Sequence, residues 1–224
     1  MFGAIARRYD LLNRVLSLGR DVGWRRVAAA EAAGGSGGAI LDLCSGTGDL
    51  AAELAGSRKD ALVVCADFAR PMLVRARAKL ERRGLVSRCL LLEADALSLP
   101  FRDGAFAAVA VAFGVRNLAD LGAGLREILR VLRPGGRLVV LEFSRPTSRA
   151  LSGIYGLYLN RVLPGLGDRV SGQQGPYGYL ARTIAEFPDP PEFAGVLREA
   201  GFAAAGWTPL TGGIVCVHTA IKGA

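Results

Sequence analysis

The chain has 224 residues, 51% of them apolar and 21% charged, with 28 basic against 20 acidic groups and a formal charge of +8. That length suits one α/β domain with a sizeable core, and the composition excludes disorder, collagen and coiled coil as the main class. The basic excess is almost all arginine (25 Arg, three Lys) and points to an anionic partner: nucleic acid, a membrane surface or an acidic ligand.

Residues 4–30 read as helical, because Ile5, Tyr9, Leu12 and Leu16 recur at helix spacing. Gly34-Gly-Ser-Gly-Gly38 is a hinge. Residues 39–44 form an apolar run broken only by Asp42, as suits a buried parallel strand. A helix over 49–55, a strand over 61–66 and a basic amphipathic helix over 71–83 follow, the last with Pro71 near its first turn. Residues 89–92 and 106–113 read as strands and 118–132 as a helix stopped by Pro134-Gly-Gly136. A fifth strand covers 137–143. Residues 150–190 break the rhythm and read as an insertion over the sheet. Residues 192–200 resume as a helix, and 208–222 read as two strands joined near Gly212-Gly213.

Strands alternating with helices imply parallel strands with right-handed crossovers. The expected fold is therefore a doubly wound, Rossmann-like α/β sheet. One domain spans 1–224, with residues 1–33 as a helical cover and 145–190 as an insertion over the substrate site. Cys44, Cys65, Cys89 and Cys216 show no metal-ligand or redox spacing, and the single histidine is His218. No metal site is expected. The N-terminus turns charged at once, and the uncharged stretch 200–221 is interrupted by glycines and Pro209. Neither a signal peptide nor a spanning helix is expected, so the chain reads as cytoplasmic or peripheral to the inner face of the membrane.

The strongest local signal is Leu41-Asp-Leu-Cys-Ser-Gly-Thr-Gly-Asp49, which follows a strand and opens a helix. Gly46 and Gly48 permit a tight turn and close approach of a ligand to the backbone. Gly46-x-Gly48-x-x-Ala51 by itself also fits the dinucleotide fingerprint, and Asp67 then suits the two hydroxyls of a ribose in NAD enzymes and S-adenosylmethionine enzymes alike. Three features favour S-adenosylmethionine. Asp42 lies ahead of the loop, where a carboxylate suits an ammonium and not a pyrophosphate. Asp95, in Glu93-Ala-Asp-Ala96, can accept the adenine amino group beside apolar neighbours. About 38 residues precede the first strand. The cofactor set is thus Asp42, Gly46, Thr47, Gly48, Asp67, Phe68, Asp95 and Ala96.

With these motifs the sequence resembles the UbiE/MenG family of quinone-biosynthesis C-methyltransferases. The resemblance is carried by Tyr9-Asp-x-x-Asn13 with Trp24, the glycine loop, Phe113-Gly-Val-Arg-Asn117, Leu132-Arg-Pro-Gly-Gly136, Leu141-Glu-Phe-Ser144, Tyr179-Leu180, Phe187-Pro188, Ala200-Gly-Phe202 and Gly213-Ile-Val-x-x-His218. It implies methyl transfer from S-adenosylmethionine to a ring carbon of a polyprenylated quinol, demethylmenaquinol first and a ubiquinone-pathway benzoquinol second. It also places Thr47, Asp67, Asp95 and Ala96 at cofactor-contact positions. Two departures stand out: Ala112 replaces a frequent serine, and Ser45 replaces a glycine.

Such chemistry needs positioning, a proton acceptor and a group to stabilise a quinolate oxygen. Arg116 and Asn117, just past the fourth strand, are the expected catalytic pair, with Arg116 an oxyanion stabiliser because guanidinium is a poor base. Tyr9, Arg116 and Tyr177 are the expected substrate contacts. His218, Tyr9, Asp49 and Tyr177 are the candidate proton acceptors. The N-terminal helix and the apolar residues 151–166 are candidates to line a tail groove. Rival readings are another small-acceptor methyltransferase, an NAD-binding oxidoreductase and an RNA methyltransferase. No nucleic-acid partner is expected, since no basic run carries interleaved aromatics. A homodimer is compatible with the sequence. The net charge of 68–90 is +6 and that of 31–67 is −4, so the excess lies on helices and the proposed cofactor segments are acidic. The basic faces are therefore expected to meet anionic membrane.

Overall fold

The computed structural model describes Arg14, residues 17–35, 37–146 and 176–224, with Ser148, Gly153 and Gly156. Helix α1 spans Asp21–Ala33, and its alanine-rich sequence buries Trp24, Ala28, Ala29 and Ala32 along one stripe. The single helix expected over 4–30 is interrupted in its described part. Residues 17–20 form a turn in which Leu18 and Gly19 take positive φ (52° and 75°), and a residue there cannot continue a right-handed helix.

The alternating elements that follow match the expected order. They are β1 (Ile40–Leu43), α2 (Asp49–Ser57), β2 (Val63–Asp67), α3 (Arg70–Arg82), β3 (Cys89–Glu93) and β4 (Phe106–Ala112). Next come a 3₁₀ turn (Val115–Asn117), α4 (Leu121–Val131), β5 (Leu132–Phe143), α5 (Pro176–Glu186), α6 (Pro190–Glu199), β6 (Phe202–Leu210) and β7 (Val215–Lys222). They build a seven-stranded sheet in the order β3-β2-β1-β4-β5-β7-β6. β1 to β5 pair in parallel, and β7 runs antiparallel to both β5 and β6.

Three boundaries differ from expectation for local reasons. β5 begins at Leu132, five residues early, because Phe106 pairs Leu132 before the Pro134-Gly135-Gly136 loop bulges out and Ala108 resumes pairing at Arg137. α6 begins at Pro190, because Asp189 and Glu192 form a reciprocal capping box. β6 begins at Phe202 and not near Thr208, the short alanine run being carried by pairing with β7.

Apolar residues from alternate strand positions feed two cores. One lies under α1 and α2 and includes Ile40, Leu54, Cys65 and Leu141. The other lies under α4 and α6 and includes Leu43, Val111, Ile128 and Phe193. The sheet reverses its winding between β1 and β4. At such a switch point the loops after neighbouring strands splay to opposite faces and leave a crevice at the carboxyl edge.

Candidate functional site

The crevice is built from the ends of β1, β2, β3 and β4. After β1, Cys44, Gly46 and Gly48 all take positive φ (56°, 56° and 79°), so the chain folds back tightly into α2. A side chain at Gly48 would place its Cβ 3.0 Å from that of Ala76, so α3 packs directly on the loop. Asp67 clamps the same loop. Its carboxylate accepts from Gly46 N–H at 2.7 Å and from Ala69 N–H at 2.8 Å. Burial pushes its acidity toward higher pH, and those two backbone donors act against it.

Asp42, expected to face an ammonium, is 1% exposed. Among the described residues neither carboxylate oxygen, nor the Ser45 hydroxyl, meets a partner in full hydrogen-bond geometry. Burial, reinforced by Asp67, pushes the Asp42 carboxyl up to about 7, while the nearby Ser45 hydroxyl, the Ala51 N–H and Arg25 pull the other way. A buried carboxylate without a partner is costly, and a cationic ligand group beside it removes that cost.

The three predicted carboxylates lie in or just past adjacent strands in the order β3-β2-β1. Asp95, two residues past β3, is exposed and accepts from Leu97 N–H at 2.9 Å. Ala96 is buried beside it. The loop is pinned from α4, where Glu127 accepts from Leu99 N–H and Arg130 donates to the carbonyls of Leu99 and Phe101. Phe68, next to Asp67, is 78% exposed, an unusual position for a phenylalanine unless it meets a ring. Thr47 is buried and its hydroxyl accepts from Lys79 Nζ at 3.0 Å. Lys79 also pairs Asp49 at 2.7 Å, so the proton-acceptor candidate Asp49 is held against α3 beside Thr47. Sequence reasoning missed Lys79, which read as one more charge on a basic helix.

The end of β4 is locked to the end of β1. Phe113 takes a φ of 59°, and a Cβ on Gly114 would lie 2.5 Å from the Cys44 Cβ. Only glycine fits, and the Arg116 turn is thereby registered against the cofactor loop. Arg116 Nη1 donates to the Phe113 carbonyl at 2.8 Å and to Glu142 Oε1 at 2.5 Å. The two side chains are 7% and 0% exposed, so this is a buried ion pair and not a surface arginine. The guanidinium also lies 5.5 Å from the Phe143 ring centroid. Asn117 donates to the Phe113 carbonyl at 3.4 Å and accepts from the Tyr179 hydroxyl at 3.2 Å. A cavity of about 160 Å³ opens here, between Val115, Arg116 and Leu118 on one side and Thr183, Glu186 and Phe187 of the α5 end on the other.

α1 closes the other flank. Trp24 Nε1 donates to Thr211 Oγ1 at 2.8 Å, and Trp24 meets Phe113 edge-on. Arg25, paired with Asp21 at 2.5 Å, lies over the Phe113 ring. His218 is not brought to the site. It pairs in register with Val140 inside the sheet, meets the Phe193 ring edge-on, and burial pushes it down to about 4. It is a neutral core residue. Tyr9 lies outside the described residues, as do residues 157–166 and the side chain of Tyr177. Among the described residues no cluster of three metal-ligating side chains occurs, and no helix is long and apolar enough to cross a membrane.

A parallel sheet with one reversed strand near its end, a glycine loop after β1, acidic residues on three successive strands and an orphan carboxylate at the loop base define an S-adenosylmethionine-dependent methyltransferase. A structure titled SAM dependent methyltransferase from Aquifex aeolicus superposes with a TM-score of 0.61 at 18% identity, covering 84% of this chain and 83% of that one. The [4+2]-cyclase SpnF superposes at 0.69 with 19% identity, covering 91% and 81%, so these likenesses carry the fold alone. The family model described as the ubiE/COQ5 methyltransferase family matches residues 1–222, and the chain belongs to that family. It is 51% identical over 218 residues to the demethylmenaquinone methyltransferase of Thermus thermophilus, covering 97% of this chain and 98% of that protein. It is 50% identical over 202 residues to that of Deinococcus radiodurans, covering 90% and 83%. The enzyme class and cofactor expected from the sequence therefore stand, and the NAD-binding oxidoreductase reading falls.

Proposed function

We propose that this chain methylates a ring carbon of demethylmenaquinol, giving menaquinol, and that the site residues divide into a cofactor half and a substrate half across the β1–β4 contact. The reading is supported by the tight packing of Gly114 on Cys44, which joins the turn after β4, carrying Arg116, to the loop after β1 that follows Asp42. Its relatives of half-identical sequence bear the name demethylmenaquinone methyltransferase.

S-adenosylmethionine, when bound, supplies an electrophilic methyl group on a sulfonium. Asp42 faces the ammonium of its amino-acid end. The backbone of Gly46, Thr47 and Gly48 forms the floor, Asp67 accepts from the ribose hydroxyls, and Asp95 accepts from the adenine amino group. Phe68 and Ala96 would supply apolar contact to the adenine. On the substrate half, Arg116 holds the quinol oxygen and stabilises its negative charge, while Asn117, fixed by Tyr179, orients the head group. From the described part of the 145–190 segment, Thr183 and Phe187 wall the head-group cavity beside Arg116. Incubation with labelled cofactor and both demethylated quinols tests this reading. Menaquinol, formed from demethylmenaquinol, is the expected product; exclusive methylation of the benzoquinol overturns the acceptor assigned. Arg116→Ala is expected to abolish transfer while cofactor binding persists, and undiminished transfer overturns the role of Arg116.

The lipid substrate also calls for contact with a bilayer. The exposed side of α3 carries Arg70 and Arg77 beside Val74, which is 63% exposed, with Glu81 paired to Arg77 and Arg82 on its flank, and this net-basic face is the proposed contact with anionic lipid. Retention on vesicles containing anionic lipid at low salt, lost at high salt, is expected. No retention at low salt overturns it.

A further inference from the structure

Guanidinium stabilises a quinolate oxygen but is a poor acceptor for its proton. The groups first considered for that task are Asp49, which is paired to Lys79, His218, which is in the core, and Tyr9 and Tyr177, whose side chains are not described. One carboxylate touching Arg116 has been given no task. Glu142, near the end of β5, accepts from Arg116 Nη1 at 2.5 Å and from Phe143 N–H at 2.9 Å through the same oxygen. Its second oxygen, Oε2, is buried and finds no partner among the described residues, and the same holds for Arg116 Nε. A structural ion pair commonly satisfies both oxygens, because each unmade hydrogen bond of a buried charge is costly. This pair keeps a lone pair and an N–H in reserve.

We propose that Glu142 receives the quinol proton through Arg116, as the positioning and proton-holding partner of the substrate-facing guanidinium. The proposal rests on the reading of Arg116 given above. Other titratable groups surround the pair. Cys44 lies at the end of β1, and Cys216 is the register partner of Glu142 on β7. His218 is two residues further along that strand, and Glu186 lines the Arg116 cavity from α5. Burial raises Cys44 to about 12, pushes Cys216 up and keeps His218 neutral above about 4. Glu186 is exposed and faces Arg182 at 3.9 Å. Burial also lifts Glu142 above the usual carboxylate range, against the pull of Arg116, which suits a group that must take and return a proton.

The step balances as follows. Arg116 passes one Nη proton to Glu142 as it receives the quinol O–H proton, so guanidinium stays cationic, Glu142 becomes a neutral carboxyl and the substrate becomes quinolate. The ring carbon forms a bond to the methyl carbon, and the carbon–sulfur bond breaks with its electron pair on sulfur. The resulting ring dienone loses its C–H proton to water and regains aromaticity. Glu142 then returns its proton to the oxygen through Arg116, and the net proton released is the one from the ring carbon.

Glu142→Gln tests this, because the amide still accepts from Arg116 but cannot hold the proton. The expected result is cofactor affinity and quinol KM within threefold of the native enzyme, kcat lower by about 100-fold or more, and loss of the acid limb of the kcat–pH profile. Glu142→Asp is expected to restore part of kcat and the limb. A Gln variant with near-native kcat, or one whose kcat falls with the acid limb intact, overturns the proposal. Should the Gln variant not fold, infrared difference spectra of the native enzyme with S-adenosylhomocysteine and a quinol decide the matter. A new buried carboxyl band, shifted by carboxyl-labelled glutamate, is expected, and its absence overturns the proposal. If Arg116→Ala methylates normally, the reading of Arg116 fails first; if it is inactive while Glu142→Gln is normal, the Glu142 proposal fails alone.

Discussion

Asp42→Asn should make the ligand-free protein more stable and the loaded protein worse at holding its cofactor. In the folded chain the carboxyl is raised from its ordinary 3.8 to about 7, chiefly by burial. Both states are protonated below about 4. Between about 4 and 7 the unfolded chain releases this proton and the folded one keeps it, so stability falls as pH rises; above 7 both are ionised and the loss is complete. Three tenfold steps at about 1.4 kcal/mol each give a loss of about 4 kcal/mol from this one group. The amide carries no charge, but it is itself short of partners, so about half that gain is expected above pH 7. Urea denaturation of both proteins at pH 5, 6, 7 and 8 measures it. The stability gap should open as pH rises and then level off. Titration calorimetry should show cofactor binding weakened by tenfold or more, because the ammonium has lost its counter-charge. A variant that is less stable at every pH, or a gap that does not change between pH 5 and 8, refutes the reasoning.

Gly114→Ala drives a methyl to 2.5 Å from the Cys44 Cβ and should cost about 1–3 kcal/mol by denaturation while weakening cofactor binding and turnover together; a variant that keeps both functions shows that the β1 and β4 turns are not coupled. His218→Leu should retain kcat within a few-fold. His218 is depressed to about 4, so the native chain loses stability as pH falls from about 6.5 toward 4, and the leucine variant should lack that loss; loss of turnover in a folded His218→Leu contradicts its core role. Trp24→Phe removes the indole donor to Thr211 and should cost about 1 kcal/mol, read as a lower thermal midpoint, with cofactor affinity nearly unchanged.

The order of strands and helices was readable because buried parallel strands are short apolar runs and the helices between them carry clear stops such as Pro134-Gly135-Gly136. The boundaries that moved depend on partners distant in sequence. Ala204 and Ala205 have little strand preference and become β6 only by pairing with Ile221 and Ala220 of β7. The placement of Asp42, Asp67 and Asp95 toward one edge of the sheet was legible, since they lie within or just past strands whose adjacency a doubly wound sheet dictates. The buried pair was not. Glu142 is 26 residues from Arg116, and a charge inside an apolar strand gives no sign of which distant cation it meets. Lys79 was hidden for the opposite reason: on a helix crowded with arginines, nothing in its spacing distinguishes the one that turns inward to Thr47 and Asp49.

The tie between Trp24 and Thr211 bridges 187 residues. It joins one of the first helices made on the ribosome to the turn between the last two strands. α1 also packs against β4, β5 and β7, and β5 reaches it through Arg137 and Glu31. During synthesis this helix can dock on α2 and on Phe113 long before Thr211 is made, so its tie to the β6–β7 turn is the late one. A chain cut before that hairpin keeps the early packing of α1 and lacks only the bond that fastens it to the far end of the sheet.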